Sequence, residues 1–243
     1  MNEKKKKALV FVLLAVAFAC IWILVRRSKP EQRIALAQRE AATHVLGGYI
    51  AEKFPRQKVL IASNPFTEMR GRPREIYEFE AAGLAGLREG FDDKISYKIV
   101  FPELRPGAGE NPENLYVDPQ TSTPLSFLVA DDAFDQLFRA NPEYEICVSL
   151  IGLPAAALQT ASWRKSTLKY ALLLPDWQLI GNAETIRNAF KSGKIVAAVV
   201  NRPDLPPESK SSEQKYQMLF EQHFLLITDA NCDELMKRYR RLF

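Results

Sequence analysis

The chain has 243 residues, of which 47% are hydrophobic and 26% charged. Those are ordinary globular values, and they exclude a disordered or collagen-like chain. The formal net charge of +4 does not mark a nucleic-acid surface, and basic residues beside one apolar segment account for it.

That segment is Ala8 to Val25, ALVFVLLAVAFACIWILV, eighteen residues without a charge. At ~1.5 Å of rise per residue it makes a helix of about 27 Å, close to the roughly 30 Å hydrocarbon core of a bilayer. It is predicted to be one membrane-spanning helix. A basic head before an apolar core also describes a cleaved signal peptide, with Ala17-Phe18-Ala19 as a small-x-small site. Cys20 after Ala19 resembles a lipoprotein site. The apolar run continues through Ile21 to Val25, which favours an uncleaved signal-anchor. Lys4 to Lys7 precede the span, while Arg26, Arg27 and Lys29 follow it. The amino-terminal lysines lead slightly, so the positive-inside rule places the rest of the chain outside the cytoplasm. The expected organisation is a basic tail (1–7), an anchor (8–25), a linker (26–33) and a single α/β domain (34–243). This describes a single-pass protein of the inner or plasma membrane.

From Lys29 to about Arg33 the chain is polar and leaves the membrane, and Pro30 marks the break. Ala35, Ala42, Val45, Leu46, Tyr49, Ile50 and Phe54 then recur at helical spacing until Pro55. His44 lies in this helix and reads as a packing residue. Lys58 to Ser63 is a short apolar run, a buried strand, and Asn64-Pro65-Phe66 turns away from it. Glu75 to Phe91 is helical. Gly83, Gly86 and Gly90 share one of its faces, which suits close packing on a sheet. No Gly-x-Gly-x-x-Gly opens that helix, so a phosphate loop is not indicated.

Ile95 to Phe101 is the second strand. Pro102 to Pro124 holds five prolines and two glycines, and so long a connection is either a functional lid or a mobile surface loop. Leu125 to Ala140 reads as one helix, Glu145 to Ile151 as the third strand, and a helix is expected near Ala155 to Trp163. Tyr170 to Leu174 is the fourth strand. Asn182 caps a helix that Gly193 closes. Ile195 to Val200 is the fifth strand. Ser211 and Gln214 have capping-box spacing before a short helix around Tyr216 to Phe220. Phe224 to Thr228 is the sixth strand, and Asn231 caps the last helix. That helix ends in Lys237-Arg238-Tyr239-Arg240-Arg241, a basic end that suits a helix C-terminus and reads as a solvated face, with contact to a membrane surface as the alternative.

Strands and helices alternate, and the strands are continuous apolar runs. That combination predicts an α/β fold: a mostly parallel, Rossmann-like three-layer sheet with helices on both faces, preceded by one transmembrane helix. In such sheets ligands bind beyond the carboxyl ends of the strands. The candidate rim residues there are Asn64, Asp176, Trp177, Asn201 and Arg202. They bring amides, a carboxylate, a guanidinium and an indole, the groups that fix a polar ligand. Trp177 follows Pro175-Asp176 directly after a strand, where its ring is expected to lie partly outside the core.

The segments KVLIASNPF, EAAGLAGLREGFDDKISYKIVFPEL, AFDQLFRANPEYEICVSLIGLP and KYALLLPDW resemble one lobe of a type I periplasmic binding protein. The resemblance spans about Ala41 to Asp204. It implies a periplasmic-binding-like fold in which two lobes close on a small solute. This chain has room for one lobe. It would need a second copy, as a homodimer, or the loop 102–124 as a cover. The alternative is a structural or assembly component of a membrane complex, with a protein partner and no ligand.

Catalysis finds little support. The histidines are His44 and His223, and no nucleophile motif or metal-ligand spacing occurs. Asp92-Asp93 and Asp131-Asp132 are adjacent pairs, which point to different faces of a helix. Of Cys20, Cys147 and Cys232, Cys147 lies in an apolar run and reads as a buried thiol. No catalytic residue, metal, cofactor or nucleic-acid partner is expected. The anchor reading predicts that the mature protein keeps Ala8 to Val25. Amino-terminal sequencing checks it, and a start near Cys20 would defeat it.

Overall fold

The computed structural model describes residues 30–121, 123–165, 167–204 and 216–243. The apolar segment Ala8 to Val25 and the capping box at Ser211 and Gln214 lie outside these. No helix among the described residues is long and apolar enough to cross a membrane.

Six strands form one sheet: β1 (Lys58–Ala62), β2 (Ser96–Val100), β3 (Ile146–Ser149), β4 (Lys169–Leu173), β5 (Ile195–Asn201) and β6 (Phe224–Ile227). Their order is β2-β1-β3-β4-β5-β6. The first five are mutually parallel, and β6 runs antiparallel to β5, with Asn201 opposite Phe224. Side chains alternate across each strand. Val59 and Ile61 of β1, Ile146 and Val148 of β3 and Ala197 and Val199 of β5 face one helix layer. Leu60, Cys147, Leu172 and Ala198 face the other. Both faces are covered at β1, β3, β4 and β5, which is why these read as unbroken apolar runs, while the edge strand β2 is buried only in part.

The first layer holds α1 (residues 30–53), α2 (Arg74–Phe91) and α7 (Tyr216–His223). The second holds α4 (Ala133–Ala140), α6 (Ala183–Lys191) and α8 (Cys232–Arg238). The glycines of α2 allow close packing, and the partner is α1 rather than the sheet. A Cβ on Gly86 would run into the Glu40 carbonyl, and one on Gly90 into the His44 carbonyl. Only glycine permits that approach of two helix backbones.

Several local expectations need correction. Leu125 to Ala140 is two helices, α3 (Leu125–Leu128) and α4, because Val129 pairs as a bridge with Leu104. The backbone there is spent on the long loop: Arg105 N donates to Leu128 O at 2.8 Å and Ala130 N to Glu103 O at 2.8 Å. The helix expected near Ala155 becomes a 3-10 turn and α5 (Ala161–Arg164). Asn231 does not cap α8. Its side chain turns back, accepting from Thr228 N at 2.8 Å and donating to Leu226 O at 2.9 Å. Asn182 does cap α6, accepting from Thr185 N at 2.9 Å. Cys147 and Cys232 are both buried free thiols, and burial pushes the Cys147 thiol up to about 12.

One buried charge network ties the layers together at the carboxyl end of β1. Arg39 of α1 and Glu80 of α2 pair at 3.3 Å, both under a tenth exposed. Glu80 also accepts from Ser63 Oγ and, at 2.9 Å, from the Asn64 N–H. Arg39 donates to the Leu150 carbonyl beyond β3 at 3.1 Å. Burial lowers the pKa of Arg39, and Glu80 opposes that shift. Removing one partner strands a charge in the interior. Glu80→Leu should therefore cost about 3–5 kcal/mol. Adding Arg39→Met should recover part of it, which chemical denaturation of the single and double variants checks.

Candidate functional site

In a sheet of order 2-1-3-4-5 the chain leaves β1 and β3 in opposite directions, so a crevice is expected between their carboxyl ends. Here the chain fills it. Asn64 spends its polar groups locally: its Oδ1 accepts from Phe66 N at 3.0 Å and its carbonyl from Thr67 Oγ1 at 2.6 Å. On the β3 side, Ser126 is fully buried and Thr123 nearly so. Ser126 Oγ donates to Thr123 Oγ1 at 3.0 Å, and the Ser126 carbonyl accepts from Ala155 N at 2.9 Å. Gly152, at φ +76°, lies against both side chains.

The loop 102–124 is packed as a plug. Phe66, Ala108 and Leu128 form a small core of their own with Met69, Leu104, Leu115 and Val117 around it. Arg105 pairs with Asp131, and Arg72 donates to the Gly109 carbonyl. The end of this loop then crosses towards β4, where Thr121 Oγ1 donates to Asp176 Oδ2.

A cleft of about 290 Å³ lies open beyond the ends of β4 and β5. Its apolar wall includes Leu174, Trp177, Val200 and Phe243, and its polar groups are Gln120, Asp176, Gln178, Asn201 and Arg241. Asp176 is held from two sides, by Thr121 and by the Gln178 N–H at 3.0 Å. Leu174 sits at φ +47°, a left-handed conformation that is costly outside glycine. It turns the chain sharply out of β4 and into the wall. Such strain is often found at binding sites.

The structure brings Asp176, Trp177 and Asn201 around this one cleft. Arg202 lies beside it, in an adjoining cavity of about 500 Å³ that shares Asn201, Arg241 and Leu242. Its N–H donates to the His223 carbonyl at 2.8 Å and its guanidinium reaches Asp204 at 3.7 Å. Asn64 belongs to the filled crevice and not to the cleft. Gln120, Arg241 and Phe243 are lining residues that strand-end position does not single out. They reach the site by tertiary folding, from the long loop and from the segment after α8. The one local signal among them is the basic run that ends at Arg241.

Trp177 corrects its expectation. It is 7% exposed and packs among core side chains, with ring centroids 5.6 Å from Phe243 and 6.1 Å from Phe190. Its Nε1 has no hydrogen-bond partner among the described residues. The indole closes the bottom of the cleft from the core side. No histidine, cysteine, serine or lysine lines the cleft among the described residues.

No protein-family model matches the chain, and no curated protein matches it. Solved structures similar to it include a periplasmic solute-binding protein of an ABC transporter from Actinobacillus succinogenes with bound D-allose (10% identity, 81% of this chain and 61% of that one, TM-score 0.45). Another is a solute-binding protein from Burkholderia graminis in complex with D-arabinose (14% identity, 79% and 60%, TM-score 0.44). A third is AraP, an arabinose-binding protein from Geobacillus stearothermophilus (12% identity, 81% and 62%, TM-score 0.44). The chain spans about 60% of the length of these proteins. The fold of this chain is defined by its own strand order and directions.

Replacing Trp177 by Ala should cost about 3–5 kcal/mol of stability, as core aromatic truncations do. Urea denaturation measures it, and a variant as stable as the parent would place the indole outside the core.

Proposed function

We propose that the chain is a membrane-anchored binding module, with its α/β domain outside the cytoplasm and a small polar solute held in the cleft beyond β4 and β5. The observation that carries this reading is the cleft itself. It is close to the ~300 Å³ at which small-ligand sites begin. It joins an apolar wall to one carboxylate, one guanidinium and side-chain amides, a set that recognises hydrogen-bonding solutes such as polyols or amino acids. Asp176 is pre-oriented by Thr121 and by the Gln178 N–H, which lowers the cost of ordering it on binding. Among the described residues the lining sets no nucleophile beside a base, and the polar groups it does present suit binding.

The membrane part of the reading is supported by the uncharged run Ala8 to Val25 and by Lys4 to Lys7 ahead of it. A second reading, a structural or assembly component with a protein partner, is favoured by one observation. The crevice between β1 and β3 is filled by the chain's own Thr123, Ser126 and Gly152. A second copy facing the rim would restore a two-lobed arrangement.

The test is a thermal-shift screen against small sugars, polyols and amino acids. A solute that binds only the folded state raises Tm. Asp176→Asn should abolish the shift for the solute found while leaving the unliganded Tm within a few degrees. A screen in which no small solute raises Tm gives the assembly reading its place.

A further inference from the structure

The cleft, the strand ends and the start of α1 all lie at one end of the domain. Residues 54–57 join the last turn of α1 to β1, so α1 runs antiparallel to the strand. Arg39 of α1 reaches the Leu150 carbonyl at the strand-end level, and Gln32 reaches Glu78 at 2.7 Å. The helix contacts set Gly86 against Glu40 and Gly90 against His44, so residue 34 is level with Glu80 at the strand end, and residues 30–33 stand about 6 Å beyond it at ~1.5 Å per residue. Only residues 26–29 separate Val25 from this helix, and five residue steps reach at most about 18 Å. The rim therefore faces the side from which the apolar segment enters.

The chain after α8 comes to the same end. Arg238 and Tyr239 reach Asp204, just past β5, at 3.6 Å and 3.1 Å. Lys237, Arg238, Arg240 and Arg241 are all exposed, and with Arg202 they surround the cavity of about 500 Å³. Among the described residues, Asp204 is the carboxylate paired with this cluster. Elsewhere on the rim the signs are mixed: Glu103, Glu110, Glu113 and Asp118 of the loop 102–124 stand near Arg70, Arg72, Arg74 and Arg105, and Arg72 and Arg105 are engaged by the Gly109 carbonyl and Asp131. The cationic side chains around the larger cavity form a continuous basic corner of the rim.

The geometry points to a second membrane contact: the corner formed by Lys237 to Arg241 with Arg202 docks on the anionic head groups of the bilayer that holds the apolar segment. The inference rests on the reading of Ala8 to Val25 as a membrane span. The tether keeps the corner near the surface, so each weak charge contact acts at high effective concentration.

The full chain is reconstituted in bilayer discs, either of phosphatidylcholine alone or with phosphatidylglycerol added, and amide hydrogen exchange is followed across residues 239–243. Exchange should be slower by at least about tenfold in the anionic discs, and raised salt should weaken the effect. Lys237→Glu combined with Arg240→Glu should remove the difference between the discs. Equal exchange in both discs overturns the inference, as does protection that survives the double variant. Carbonate washing of the same discs separates the premises. A chain that washes off defeats the anchor and the docking together. A chain that stays, with exchange blind to lipid charge, defeats the docking alone.

Discussion

Arg39 carries its charge into the interior because three elements meet it there. The helix that begins at residue 30 supplies the guanidinium, the next helix supplies Glu80, and the loop beyond β3 supplies a carbonyl. Glu80 in turn holds Ser63 and Asn64 at the end of β1. A buried ion pair is weak evidence of net stability, since desolvation offsets most of its attraction. What it specifies is register. The close glycine contact between the two helices fixes how near they lie, and the ion pair fixes how far one slides along the other. The ends of β1 and β3 are set by both, and everything on the rim is built from those ends.

With the crevice between β1 and β3 lined by bonds within the chain, the open cleft beyond β4 and β5 lies further across the sheet. The loop 102–124 takes part at both places. Its apolar residues cover the end of β1, and its last residues reach Asp176 beyond β4. The same segment that packs over the end of β1 also borders the cleft, through Gln120 and through Thr121 on Asp176. That double role explains why its polar, proline-rich composition folds back onto the domain. The prolines break regular structure, while Leu104, Ala108, Leu115 and Val117 give it something to bury.

The strands are legible because most are runs of four to seven residues buried on both faces, and a short apolar run bounded by turn residues is the pattern such a strand leaves. The helix of Glu75 to Phe91 is legible from its glycine face, though not the identity of the neighbour pressed against it. Helix continuity fails at Val129, where pairing with Leu104 outweighs local preference. Capping by Asn231 fails because its amide finds closer backbone partners in the preceding turn. The site is half legible. Asp176 and Asn201 follow directly from strand ends, as the topology of parallel sheets requires. Gln120 and Phe243 lie 56 and 66 residues from Asp176 and Trp177 in the sequence, and no local pattern links such distances.

The two buried thiols have a consequence for where this domain can exist. Cys147 sits in the central strand β3 and Cys232 at the start of α8, neither open to solvent. With its thiol pushed up to about 12, Cys147 supplies almost no thiolate at neutral pH, and thiolate is the form that oxidants attack. The domain neither gains a crosslink in an oxidising compartment nor loses one in a reducing compartment. Folding of the domain therefore calls on no crosslink between these two cysteines.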